Sequence, residues 1–229
     1  MLVIGHRGAC GLAPENTLAS MHAAVAAGVL ILEFDVQTTK DGIPVVIHDA
    51  SLLRTHKKRR RISSLTAKEL RILTTDCQPV PTLAQVLDAY WGRVYLNIEI
   101  KGKGTAAAVV KLLQEYCDTN ECWDNCFISS FSVRELKTVR ALAPHANLAL
   151  LHNRNPFAFL AYYRQLGLAA VGWHRLYTSQ LATEIAKRMG LFTYVYTVNR
   201  PSAAQLFAQQ GFDAVVTDRP DIIHAATKD

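Results

Sequence analysis

The sequence predicts an α/β fold, a TIM (β/α)8 barrel with a small insertion near residues 50–80. Three observations predict it. Short β-rich apolar runs alternate with helical patterns along all 229 residues. Several runs carry Val and Ile on consecutive positions, as strands covered on both faces do. Polar residues suited to chemistry (His6, Glu33, Asp35, Glu99, Lys101, Ser130 and Asn199) fall at the C-terminal ends of different runs spread over the whole chain. A closed barrel gathers all its strand ends at one mouth, whereas an open doubly wound sheet keeps its outer strands apart.

The expected strands are Leu2–Gly5, Leu30–Val36, Pro44–His48, Val94–Ile100, Phe127–Ser130, Leu148–His152, Ala169–Trp173, Phe192–Val198 and Ala214–Thr217. A helix over Thr17–Ala27 stops at Gly28. Thr66 with Glu69, and Ser132 with Glu135, have the spacing of capping boxes. Helices near Gln180–Met189 and Ala203–Gln210 stop at Gly190 and Gly211, the usual residue just past a helix end.

One run is surplus to an eight-stranded barrel. Parallel strands need a crossover of about a dozen residues, and only Gln37–Ile43 separates the second run from the third. Asp41-Gly42 is a hairpin signal. A two-residue turn there pairs Lys40 with Ile43 and sets Asp35 opposite His48. The third run is therefore expected to return antiparallel and carry His48 beside the carboxylates. From His48 to Pro79 there is little strand signal, which marks an excursion over the barrel mouth.

Half of the residues are apolar, enough for one large core. No Pro/Gly/Ser linker divides the chain, so one domain over 1–229 is expected. No basic segment followed by an apolar stretch opens it, and no apolar run approaches the ~20 residues of a membrane span. A cytoplasmic protein without stable membrane insertion is the resulting expectation. The five cysteines are an odd number, which argues against a disulfide framework. Cys117, Cys122 and Cys126 lack CxxC spacing and a nearby histidine, so packing or surface thiols are favoured over zinc. The net charge is +6, and Lys57–Arg61 supplies five consecutive positive charges. A solvated loop is the plain reading. No aromatic residues interleave the run, so nucleic acid is not an expected partner. No periodic exposed apolar stripe marks an oligomer interface.

The chemistry concentrates in a few places. Glu33 and Asp35 are two apart on a strand and share a face. Two adjacent carboxylates repel unless a proton or cation lies between them. With Glu99 they make three hard oxygen donors without a nearby cysteine, a set suited to Mg²⁺ or Ca²⁺. His6 and His48 flank this set as an acid–base pair. Arg7 offers a planar guanidinium for phosphate oxygens, and Lys101 shares the face of Glu99. His56, His145 and His224 are expected at the surface, and His152 and His174 near the mouth.

His6-Arg7-Gly8, Pro14-Glu15-Asn16-Thr17, Glu33-x-Asp35-Val36, Thr39-Lys40-Asp41-Gly42, His48-Asp49 and Glu99-x-Lys101 together resemble the glycerophosphodiester phosphodiesterase family. The resemblance continues through Pro81-Thr82-Leu83, Ser130-Phe131, Thr197-Val198-Asn199 and Thr217-Asp218-Arg219-Pro220, so it spans nearly the whole chain. It implies a TIM barrel, one divalent cation on Glu33, Asp35 and Glu99, His6 and His48 as acid and base, and Arg7 and Lys101 on the phosphate. It also implies hydrolysis of glycerophosphodiesters to glycerol 3-phosphate and an alcohol. The mechanism expected from these groups has the glycerol 2-hydroxyl attack phosphorus to give a cyclic phosphate. Phe131 and Asn199 are the candidates for the glycerol end. Tyr196 stands where the family often has Trp. Two other readings exist: a lysophospholipase D or sphingomyelinase D-like enzyme, and a barrel without catalysis used as a binding module.

Overall fold

A computed structural model describes residues 1–226 apart from Asp118 and Asn153, with the side chains of Asn120 and Glu121 also left out. The described residues form nine strands: β1 (Leu2–Gly5), β2 (Ile31–Thr38), β3 (Pro44–Val46), β4 (Tyr95–Ile100), β5 (Cys126–Ser130), β6 (Asn147–His152), β7 (Leu168–His174), β8 (Phe192–Tyr196) and β9 (Ala214–Thr217). Eight of them pair in parallel in the order β1-β2-β4-β5-β6-β7-β8-β9, and β9 returns to β1 to close the barrel. The ninth, β3, is antiparallel on β2 beyond the point where β1 has ended. The TIM barrel and its antiparallel arm are therefore as the sequence predicts.

Strand alternation divides the core in two. Leu32, Phe34 and Val36 of β2, with Leu96, Ile98 and Ile100 of β4, face the helices. Ile4, Ile31, Phe127, Ala149, Leu151, Ala170, Tyr194 and Val216 fill the barrel interior. Because residues two apart share a face, Glu33 and Asp35 extend the inward row begun by Ile31. Asn97 and Glu99 extend the one begun by Tyr95.

The hairpin register differs from expectation by one residue. Val36 pairs with Val46 and Thr38 with Pro44, so Ile47, not His48, comes opposite Asp35. The turn holds three residues: the Thr39 N–H donates to the Ile43 carbonyl, and Gly42 at φ +82° donates to the Thr39 carbonyl. A residue with positive φ in third place is the signature of a three-residue hairpin loop. The Thr39 hydroxyl donates to Asp41, whose carboxylate accepts from the Ala67 N–H. Asp41 is thus committed to the excursion and is not a member of a two-residue turn.

The excursion is held by its own apolar cluster of Val45, Ile47, Leu52, Ile62, Leu65 and Leu70. His56, expected at the surface, is buried in it, with Nε2 2.8 Å from the Gln78 carbonyl and Nδ1 2.7 Å from the Thr55 hydroxyl. Lys57–Arg61 are all exposed along its outer edge.

Thr17 with Ser20, Thr66 with Glu69 and Thr82 with Gln85 form complete capping boxes. At Ser132 only half of the expected box forms. Ser132 caps the Glu135 N–H, but the Glu135 carboxylate turns to accept the Gly104 and Ala106 N–H groups of the preceding helix. An interhelical anchor has replaced the local one. Cys117 and Cys122 are joined as a disulfide, with Cα atoms 5.3 Å apart, where unpaired thiols were expected. An odd cysteine count argues against a framework of bridges but does not exclude one local pair. His152 faces outward against Phe159 and not the mouth. Among the described residues no helix is long and apolar enough to cross a membrane.

Candidate active site

At the C-terminal end of the strands a cavity of about 380 Å³ opens, with His6, Arg7, Glu33, His48, Glu99 and Lys101 on its wall. The sequence names all six, and β-sheet register explains how three of the acids meet. Asp35 on β2 pairs directly with Glu99 on β4, and Glu33 lies one inward step below Asp35. The donor oxygens of Glu33, Asp35 and Glu99 all lie within 4.8 Å of one another.

Electrostatics sort the three. Burial raises Glu33 above the ordinary carboxylate range, and the neighbouring Asp35 adds to that. Glu99 is pushed up to about 8 by burial and by Asp35. Asp35 is also buried, which opposes its charge, but Lys101, Arg7, His48 and Asn16 outweigh burial and hold it low. Arg7 Nε lies 3.2 Å and Lys101 Nζ 3.3 Å from Asp35, while Lys101 also contacts Glu99. Asn16, which the sequence placed in a motif without a role, donates from Nδ2 to Asp35 at 2.9 Å and accepts the Asp35 N–H at 3.1 Å.

The cluster fits a divalent cation. Glu33 Oε1 is buried without a hydrogen-bond partner, which is costly unless something else meets it. Two of the three acids resist ionisation when no cation is near, and hard oxygens suit Mg²⁺ or Ca²⁺ over softer ions.

The histidines stand as a matched pair. His6 Nδ1 is 2.5 Å from Asp218 Oδ1, and His48 Nδ1 is 2.7 Å from Asp49 Oδ1. Each carboxylate fixes its ring through Nδ1, which leaves Nε2 for another partner. Burial opposes a charge on His6, yet Asp218 and Glu33 raise its pKa overall. Asp218 is held well below the ordinary range against burial, by hydrogen bonds from His6, Cys10 and Asn199. On the other flank, Arg54 Nε donates to Asp49 at 2.7 Å, and both of its terminal nitrogens reach Glu15. Glu15 in turn accepts from Arg7 at 2.9 Å. One charged chain thus links His48 to the carboxylate cluster through Asp49, Arg54, Glu15 and Arg7.

Two expected substrate contacts separate here. Phe131 lines the cavity edge-on to Tyr196, with Lys101 Nζ 5.2 Å from its ring centre. The Asn199 side chain is committed to its own neighbours: Nδ2 donates to Asp218 at 2.5 Å, and Oδ1 accepts from the Thr217 hydroxyl and the Asp218 N–H. Asp218, Glu15 and Asn16 were present in the quoted motifs. Only the closed barrel shows which groups they hold.

The loop after β1 depends on backbone conformations that most residues avoid. Arg7 has φ +50° and Gly8 φ +81°, which lets the Arg7 and Gly8 N–H groups both donate to Glu33. A Cβ at Gly8 would come within 2.5 Å of the Ser20 backbone. Gly8→Ala is therefore expected to cost at least about 1–3 kcal/mol, read as a lowered Tm. An unchanged Tm would show that the loop can rebuild.

A barrel mouth with two carboxylate-held histidines astride a buried acidic cluster carries the groups for proton transfer and for holding a divalent cation, as an enzyme acting on an anionic substrate would. The comparisons with known proteins give the class of enzyme. A sequence profile of the glycerophosphoryl diester phosphodiesterase family matches residues 6–222. A glycerophosphodiester phosphodiesterase from Caldanaerobacter subterraneus subsp. tengcongensis is 30% identical over 97% of this chain and 96% of its own. The structure of an Oleispira antarctica phosphodiesterase in complex with the product sn-glycerol-3-phosphate superposes with a TM-score of 0.89 at 30% identity, covering 100% of this chain and 97% of that one. A glycerophosphodiester phosphodiesterase from Thermotoga maritima gives a TM-score of 0.85 at 25% identity, covering 98% and 97%. The chain belongs to the glycerophosphoryl diester phosphodiesterase family and is a phosphoric diester hydrolase.

Proposed function

We propose that the enzyme hydrolyses small glycerophosphodiesters to glycerol 3-phosphate and an alcohol by acid–base catalysis between His6 and His48. The observation that carries this reading is the matched pair of rings, each held at Nδ1 by an aspartate, on either side of one acidic cluster. The product bound to the Oleispira antarctica relative supports the glycerol phosphate half of the substrate.

Glu33, Asp35 and Glu99 would hold Mg²⁺ or Ca²⁺, which when bound neutralises phosphate charge and makes a nearby hydroxyl more acidic. Arg7 and Lys101 place two further positive charges at the phosphate. One imidazole Nε2 accepts the proton of the glycerol 2-hydroxyl as that oxygen bonds to phosphorus. The other donates its proton to the departing alcohol as the phosphorus–oxygen bond breaks. Water then opens the cyclic phosphate with the two roles exchanged, so both rings regain their starting protonation. Phe131 and Tyr196 form an apolar wall against the glycerol carbons. Asn199 acts through Asp218 on His6 as a positioning residue.

Release of glycerol 3-phosphate from glycerophosphocholine and glycerophosphoethanolamine, measured with added Mg²⁺ or Ca²⁺, tests the reading. Turnover of lysolipid alone would overturn the substrate assignment. Asp218→Asn is expected to lower kcat by roughly ten- to a hundredfold with KM little changed, because the His6 ring loses its orientation. Equal loss through KM would place Asp218 in substrate binding instead.

A further inference from the structure

Cys10 has no part in the proposed acid–base chemistry, yet it stands beside the His6–Asp218 pair. Its Sγ donates to Asp218 Oδ1 at 2.8 Å and lies 3.8 Å from His6 Nδ1. The backbone fixes this arrangement. The Cys10 N–H donates to the His6 carbonyl, the Gly11 N–H to the Asp218 carbonyl, and the His6 N–H to the Thr217 carbonyl. Sulfur, nitrogen and oxygen donors therefore converge within 4.8 Å on two loops already tied together, and all three residues are partly open to solvent.

We propose that Cys10, His6 and Asp218 form a second metal site, for a thiophilic divalent ion such as Zn²⁺ or Cd²⁺, whose occupation stops hydrolysis. Tetrahedral zinc with bonds of about 2.0–2.3 Å separates its donors by roughly 3.3–3.6 Å. The sulfur–nitrogen distance is already close to this. The carboxylate has only to withdraw by about an ångström from the other two donors. The two clusters then sort ions by chemistry: all-oxygen Glu33, Asp35 and Glu99 suit hard ions, and the mixed set suits softer ones.

The inhibitory half rests on His6 working as acid and base. Starting from the neutral ring, binding releases the thiol proton to water and leaves the one imidazole proton on Nε2. A ring metallated at Nδ1 can donate a hydrogen bond from Nε2 but has no lone pair there to accept a proton.

The test uses the whole protein with Mg²⁺ or Ca²⁺ in excess. Wild type, Cys10→Ser and Cys10→Ala are titrated with Zn²⁺ during turnover, and separately with Cd²⁺ while the ultraviolet sulfur-to-cadmium charge-transfer band is followed. Because Cys77 is exposed, the Cd²⁺ titration is done in a Cys77→Ser background. The expected result is a band in the Cys10 protein that Cys10→Ala lacks, and a half-inhibiting Zn²⁺ concentration about tenfold or more higher in both Cys10 variants. Equal bands overturn the site. A band with equal inhibition overturns the switching role. If no form hydrolyses any glycerophosphodiester, the activity reading fails while the band still decides the site.

Discussion

Alanine at His6 or at His48 is expected to lower kcat by about a hundredfold to ten-thousandfold, the usual worth of a general acid or base. The two losses are expected to be similar, because in the proposed mechanism each ring serves once as acid and once as base. Neither change removes core packing. Both rings are partly exposed at the cavity wall, and their aspartate partners retain Asn199 or Arg54. Folding measured by circular dichroism should therefore be preserved. Accumulation of a cyclic phosphate in only one variant would show that the halves are unequal. Near wild-type rates in both would remove the histidines from the mechanism.

Removing divalent cations is expected to bring turnover to background, and restoring Mg²⁺ or Ca²⁺ to recover it. Glu33, Asp35 and Glu99 bring three potential negative charges into a buried space, where Lys101 and Arg7 are opposite in sign. Without a cation, Glu33 and Glu99 resist ionisation, and the phosphodiester loses a source of charge neutralisation. Glu99→Gln keeps the shape and removes a donor. It is expected to weaken Mg²⁺ or Ca²⁺ binding, followed by calorimetry, by about tenfold or more alongside the loss of rate. Turnover that persists in chelator would assign the cluster to Lys101 and Arg7 alone.

The site residues were legible because strand chemistry is local. Glu33 and Asp35 share a face by alternation, and Glu99 and Lys101 do the same on another strand. His48 reached the cavity even though the hairpin register slipped by one, since β3 ends at Val46 and the chain bends from the histidine onward. What could not be read was partnership across the barrel. Asn16 on Asp35, Glu15 between Arg7 and Arg54, and Asp218 on His6 are loop contacts set by closure, and no periodicity encodes them. Glu135 shows the same limit at a helix end: its spacing fits a local cap, and a neighbouring helix offered two N–H groups instead.

Barrel closure also dictates when a newly made molecule can begin to work. His6 and its aspartate are 212 residues apart in sequence, and they meet only when β9 docks along all four residues of β1. On the other side β1 is paired with β2 through only Ile4 and Gly5, so the first strand is poorly anchored until the last arrives. A chain emerging from the ribosome can assemble the hairpin, the excursion and the acidic cluster before Asp218 reaches the His6 ring. The His6 ring is thereby the last part of the site to be set in place.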